Sequence, residues 1–374
     1  MSTKKFSLLS FLSAIGAGGI AVAPFAFFNY VIPHSKGLVT LQQILNSDYN
    51  GFLKPIFPIL FSIMGVFSIL HFILLITLII RLISNYRQNK LIENFSDPLK
   101  NTAFLSPLIT LAMSMNVLIG PIRFFLPILS DNLQVLMLPA LIFWLILVLI
   151  FMSTEMKILH SYFAKSFDLK QLGFSWLFDV FTASMIAVTG TGIAALAKNA
   201  NIAHLAAFFS ISLVSLAIFL LAIKIVSVFQ SHFQANDLPE KEMLPSFLNI
   251  VPAITLLSIS LFRFGHYLEN QFHFHLEGYF LIIILAGFAF ETWYLWFGIQ
   301  TIFHYFTKQH FQSDFFISQW ALICPFVAYA VLGSFLYSVF IPSNILLGVI
   351  LLALSIAIFL FFNLLIRFIK YCKA

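Results

Sequence analysis

Charged residues occupy only 9% of the 374 positions, far below the roughly 25% of soluble domains, so a soluble fold is excluded. Cysteine is nearly absent. Cys324 falls inside an apolar stretch and Cys372 at the C-terminal end, so neither a disulfide nor a cysteine metal cluster is expected. The chain has no H-E-x-x-H, no G-x-S-x-G and no paired Asp-rich metal motif, which argues against a membrane enzyme. Gly190-Thr191-Gly192 lacks the remaining positions of a phosphate loop, and no nucleotide-binding domain is present, so neither an ATP-driven pump nor a bound cofactor is expected.

What is present is hydrophobic: 61% of the residues, with 47 phenylalanines that need no hydrogen-bond partner in lipid. The formal charge of +6 does not point to nucleic acid, because the basic residues lie in short loops between apolar runs and form no continuous patch. The partner these features imply is a lipid bilayer. Apolar runs of about 20 residues or more fall near 8–31, 53–83, 103–129, 133–156, 174–197, 202–229, 245–268, 277–306, 317–340 and 343–369. They predict an all-α, multi-pass protein of ten spans in a single transmembrane domain over residues 1–374. The first run is long enough to span and lacks a convincing cleavage site, so it reads as a retained helix and not as a removable signal peptide.

Most basic residues lie on the side of the N-terminus, among them Lys4, Lys5, Arg81, Arg87, Lys90, Lys100, Lys157, Lys165, Lys170, Lys224, Lys241, Lys308 and Arg367. Lys36, Lys54 and Lys198 occupy the opposite loops. By the positive-inside rule both termini are expected to be cytoplasmic, in the inner membrane of the cell.

Glycine and proline concentrate in the interiors of the odd-numbered spans: Gly16, Gly18, Gly19 and Pro24, then Pro107, Gly120 and Pro121, then Gly190 and Gly192, then Pro252, then Pro325. The even spans are mostly cleaner. Kinked helices are tolerated where neighbouring protein or a water-filled cavity satisfies the freed backbone groups. The pattern predicts five helical hairpins, an inner ring of odd helices forming a pore and an outer ring of even helices facing lipid.

Five ordered segments then carry a resemblance: Gly16-Ala-Gly-Gly19, Asp97-Pro-Leu-Lys-Asn101 leading into Phe104-Leu-Ser-Pro-Leu-Ile-Thr110, Phe174-Ser-Trp-Leu177, Asn249-Ile-Val-Pro-Ala253 and Trp320-Ala-Leu-Ile-Cys-Pro325. In their order and spacing the chain resembles the tellurite-resistance/dicarboxylate transporter family, which includes the TehA-type proteins and the plant slow anion channels. The resemblance implies a pseudo-five-fold pore of ten helices, commonly trimeric, carrying chloride, nitrate, sulfite or small carboxylates. It also implies a pore-blocking phenylalanine just before the proline of the ninth helix. That position is Cys324 here, beside Pro325 and Phe326. Where the family tends to have a proline in the fifth helix, the chain most nearly presents Asp179.

Anion passage needs partial positive charge without tight binding, which hydroxyls, amides at helix breaks and a few cations supply. The pore-lining candidates are Gly18, Gly19, Pro107, Thr110, Ser114, Asn116, Thr182, Thr189, Pro252 and Ser258, with Cys324, Pro325 and Phe326 at the gate. Each hydroxyl has an alternative role, bonding its own helix's carbonyls. Arg123 and Arg263 lie toward the outer ends of their spans, either forming a positive vestibule or snorkelling to headgroups. Asp179 either pairs with the helix N-terminus or a lysine such as Lys224, or exchanges a proton in a carrier for organic acids. Glu155 is expected at the interface beside Lys157, Glu291 bonded to a neighbouring helix, and His71 in helix packing. His273 and His275, near Glu269 and Glu277, are read as an interfacial loop, and no metal site is expected. A membrane sensor without flux stays open as a further class.

Overall fold

The structure, a computed structural model, describes residues 6–34, 37–47, 53–86, 95, 97–166, 168, 172–234, 240–305, 307 and 315–373. Among them are ten helices long and apolar enough to cross a membrane. They are α1 (Leu8–Val31), α2 (Lys54–Tyr86), α3 (Asn101–Phe125), α4 (Leu133–Ala164), α5 (Phe174–Leu196), α6 (Ala200–Gln234), α7 (Leu244–Phe272), α8 (Glu277–Thr301), α9 (Ile317–Val339) and α10 (Asn344–Tyr371). Residue 306, at the end of the eighth expected run, and Lys4, Lys5, Lys36, Arg87, Lys90, Lys170 and Lys308 lie outside the described residues. Helices α4 and α6 run several residues past their expected ends, because polar residues continue a helix beyond its apolar stretch. Helix α3 stops before residue 129: Leu126 is extended, as the residue ahead of a proline prefers, and a separate short helix follows over Pro127–Asp131.

The odd helices form a closed ring. Contacts run from α1 to α3, α3 to α5, α5 to α7, α7 to α9 and α9 back to α1. The even helices dock outside, α2 on α1, α4 on α5 and α3, α6 on α5, α8 on α7 and α9, and α10 on α9 and α1. In their most apolar stretches the odd helices are 61–94% buried and the even ones 33–44%, which settles which ring faces lipid. Exposed Ile69, Ile73, Ile76 and Ile80 on α2 show the outer surface such a ring presents.

All five inner helices begin with a 3₁₀ turn: Leu8–Ser10, Asn101–Leu105, Phe174–Leu177, Leu244–Asn249 and Ile317–Leu322. Pro107, Pro252 and Pro325 follow within the first turn of the α-helix proper, where the backbone N–H has no partner four residues back in that helix. Those prolines therefore start helices instead of breaking them. Pro121 is different, lying in a π-helical turn over Leu118–Ile122.

Two glycines set the spacing of the rings. A Cβ on Gly190 would stand 2.1 Å from Trp144 of α4 and 2.2 Å from the Ser210 hydroxyl of α6, and one on Gly18 would stand 2.6 Å from Met113 of α3 and 2.8 Å from His71 of α2. Close approach there allows hydrogen bonds between helices. The Trp144 indole N–H donates to the Ile186 carbonyl at 2.8 Å, and His71 reaches the Ala14 carbonyl at 2.7 Å and Ser114 Oγ at 2.8 Å. Polar side chains in this bilayer region thus serve as inter-helix bonds.

Candidate functional site

The ring encloses a cavity of about 750 Å³ on its axis. Every odd helix contributes one stripe of residues three or four apart, the repeat of a helical face. On α1 the stripe is Gly16, Gly19, Val22, Ala26 and Tyr30; on α9 it is Cys324, Ala328, Val331, Phe335 and Val339. One end lies among the C-terminal ends of the ring helices, near His34, Leu196, Asn270 and Val339. The other end is blind, at Ile15, Met113, Phe181, Pro252 and Cys324. No residue of the 3₁₀ entry turns lines it. Those turns pack on one another instead, that of α7 against those of α5 and α9, and that of α1 against those of α9 and α3.

Of the residues selected from sequence, Gly19, Asn116, Thr189, Pro252, Cys324 and Arg263 line this cavity. Gly18, Pro107, Thr110, Ser114, Thr182, Ser258, Pro325, Phe326, Arg123 and Asp179 do not. The reason is mostly angular. Thr182 follows Phe181, and Ser258 precedes Ile259; one residue along a helix turns a side chain by about 100°, away from the stripe. Ser258 instead faces α8 at Gly287.

Four of the selected hydroxyls have their protons engaged. Thr110 donates to the Ser106 carbonyl at 2.7 Å, Ser114 to Thr110 at 2.9 Å, Thr182 to Phe178 at 2.8 Å and Thr189 to Met185 at 2.9 Å. Asn116 donates to Thr189 Oγ1 at 2.8 Å and to the Ala112 carbonyl at 3.0 Å. Of these, Thr189 and Asn116 are on the wall, and their donors are taken up by the protein.

Arg263 is the exception. Among the described residues it is the one Lys or Arg on the cavity wall. Its Nη1 donates to the Val188 carbonyl at 2.8 Å, and Gly192, whose Cβ would lie 3.2 Å from that nitrogen, leaves room for the guanidinium. The remaining N–H donors have no other protein acceptor among the described residues. Tyr30 is its electrostatic neighbour, and the Tyr30 ring stacks on Phe335 at 3.8 Å between centroids. Toward the mouth, His266 Nδ1 lies 3.0 Å from Glu269 Oε2. Such a site can hold one anionic group against an aromatic wall. Tyr30, Phe335 and Phe181 were not selected from sequence, yet the stripes starting at Gly19 and Cys324 lead straight to the first two.

The second arginine behaves otherwise. Arg123 is buried, and donates from Nε to the Ile119 carbonyl at 2.8 Å, from Nη1 to Ser130 Oγ at 3.2 Å and from Nη2 to the Val39 carbonyl at 2.7 Å. It clamps the loop after α1 to the end of α3. Neither a vestibule charge nor a snorkelling one fits that arrangement.

Asp179 pairs with Lys224 of α6, in the wall between α5, α4 and α6 and outside the cavity. The Lys224 ammonium also donates to the Trp176 carbonyl at 3.0 Å and lies over the Trp176 and Tyr162 rings, 4.3 and 4.9 Å from their centroids. Glu155 belongs to this cluster. It is wholly buried and within electrostatic reach of Asp179 and Lys224, which corrects the interfacial placement beside Lys157. Glu291 is likewise buried, and accepts from the Thr255 hydroxyl of α7. His273 ends α7 in a left-handed conformation, and no group of three or more His, Cys, Asp or Glu side chains able to hold a metal occurs among the described residues.

The family model described as voltage-dependent anion channel matches residues 5–369 of the chain. No curated protein matches it.

Proposed function

Because the chain belongs to the voltage-dependent anion channel family, whose function is anion transport across membranes, we propose that small anions cross by the axial cavity of the inner ring. The cargo is of the chloride, nitrate, sulfite or C4-dicarboxylate class, and movement is passive or driven by an existing gradient. The observation that carries this reading is the position of Arg263, the fixed cation on the wall of a cavity to which all five inner helices contribute. One fixed charge in a mostly apolar passage attracts an anion without a full coordination shell to hold it there.

Gly19, Asn116, Thr189, Pro252 and Cys324 belong to the passage, with Cys324 at its blind end. The packed entry turns of the inner helices form the closed gate. Both termini are cytoplasmic, so the vestibule opens to the outside of the inner membrane, and the assembly is a homotrimer. A proton-coupled carrier built on Asp179 receives no support from a carboxylate that is paired with Lys224 away from the cavity.

Purified protein in liposomes provides the test. Efflux of chloride or nitrate, reduced by Arg263→Gln, supports the reading. Absence of flux for all the named anions, with a folded protein by size exclusion, overturns it.

A further inference from the structure

The walls around Arg263 do not resemble a site for a strongly hydrated ion. Tyr30 stacks on Phe335 with centroids 3.8 Å apart, and Phe262 meets Phe335 edge to face at 5.1 Å, so the three rings make one aromatic cluster on the wall. Phe25 and Val331 extend the apolar lining on either side. The enclosed volume, about 750 Å³, belongs to the range of roughly 300–1,000 Å³ in which pockets hold organic ligands. A chloride ion would leave most of it to water.

The charge count is equally restrictive. Arg263 supplies one positive charge, and Glu269, whose Oε2 lies 3.0 Å from His266 Nδ1, brings a carboxylate to the same wall. The His34 ring lies with its nitrogens 2.9 Å from the Ile32 carbonyl and 3.2 Å from the Gly37 carbonyl, and a neutral imidazole donates its single N–H to one of them. A second carboxylate on a ligand would find no further lysine or arginine among the described residues of the wall, which also carries the Glu269 carboxylate. A guanidinium is suited to a single carboxylate, which it can engage with two parallel N–H bonds.

We infer that the vestibule binds monovalent organic anions with an apolar body, the class of aromatic monocarboxylates, with the carboxylate on Arg263 and the body against the Tyr30–Phe335 surface. This assigns the vestibule a preferred occupant distinct from the small anions that pass it, and rests on the cavity's reading as the anion path. It excludes dicarboxylates and bare halides as the preferred occupants.

Isothermal titration of the purified protein with sodium benzoate, formate, succinate and chloride, at constant ionic strength, tests it. Benzoate should bind saturably and at least about 10-fold more tightly than the other three. Arg263→Gln should weaken benzoate by about 10- to 100-fold, the loss of a charge-assisted hydrogen bond, with Arg263→Lys intermediate. Succinate, formate or chloride binding as tightly as benzoate overturns the inference on the wild-type protein alone. So does unchanged benzoate affinity in a folded Arg263→Gln protein. Liposome flux keeps the two readings apart. Flux of chloride without benzoate binding overturns the inference and leaves the path standing, whereas benzoate binding with no flux of any anion supports the site and overturns the path.

Discussion

Lys224 and Asp179 form a salt bridge that neither lipid nor the axial cavity reaches, with the ammonium under two aromatic rings and a second carboxyl group, Glu155, beside the pair. Removing one partner of a buried pair leaves an uncompensated charge, at a cost of about 3–5 kcal/mol. Lys224→Met is therefore expected to lower the thermal midpoint sharply in detergent, and Asp179→Asn combined with it to recover part of the loss. Fluorescence-monitored unfolding of the single and double variants checks this. The pH profile of flux in Asp179→Asn should match the wild type, because the carboxyl does not face the path.

Gly190 is where α4, α5 and α6 meet most closely. Gly190→Ala places a methyl group against Trp144 and Ser210, an overpacking that costs about 1–3 kcal/mol. Gly278→Ala, at a position with nothing within 4 Å of the added carbon, is the control. Comparison of their unfolding midpoints should show a loss for the first and little change for the second.

Arg123→Gln should free the loop after α1. The guanidinium's charge-assisted hydrogen bonds are worth about 1.5–3 kcal/mol each. Amide exchange across Val39–Leu45 is expected to accelerate, while exchange in α5 and α7 stays as in the wild type. Hydrogen-exchange mass spectrometry reads both segments in one experiment.

Cys324 lies at the blind end of the cavity. Cys324→Phe should carry less anion than Cys324→Ala in liposomes, since a ring fills the end of the space that a methyl group leaves open. Equal flux from the two would place Cys324 away from the constriction.

The two-ring architecture was legible in the sequence because glycine and proline cannot be scattered freely through lipid-facing helices; their concentration in alternate spans marked the inner ring. The cavity wall was less legible, because residues were selected by polarity and not by helical face. Thr182 and Ser258 are polar and inward-ring, yet one position off the stripe, whereas Tyr30 and Phe335 are on it and aromatic. Glu155 shows the same limit in the outer ring. Its neighbour Lys157 suggested an interface, but the side of α4 that carries Glu155 packs against α5. The Asp179–Lys224 pair could be named from sequence as one alternative, since opposite charges inside adjacent spans have few other partners.

The π-helical turn at Leu118–Ile122 has a further consequence. Met113, Asn116 and Gly120 lie along the cavity, and the next step of that face would fall on Arg123. A π-turn takes up one residue more than an α-turn, so every position beyond it is set back by about 100° in phase. Arg123 is rotated off the axis and onto the Val39 carbonyl. The turn therefore acts like a frame shift written on a helix surface: among the described residues Arg263 is left as the one Lys or Arg on the wall, where an uninterrupted helix would have turned Arg123 toward it as well. Rewinding those residues as α-helix, with none removed, would swing Arg123 back toward that face, so the valence of the site is set by how the backbone is wound as much as by which side chains the chain carries.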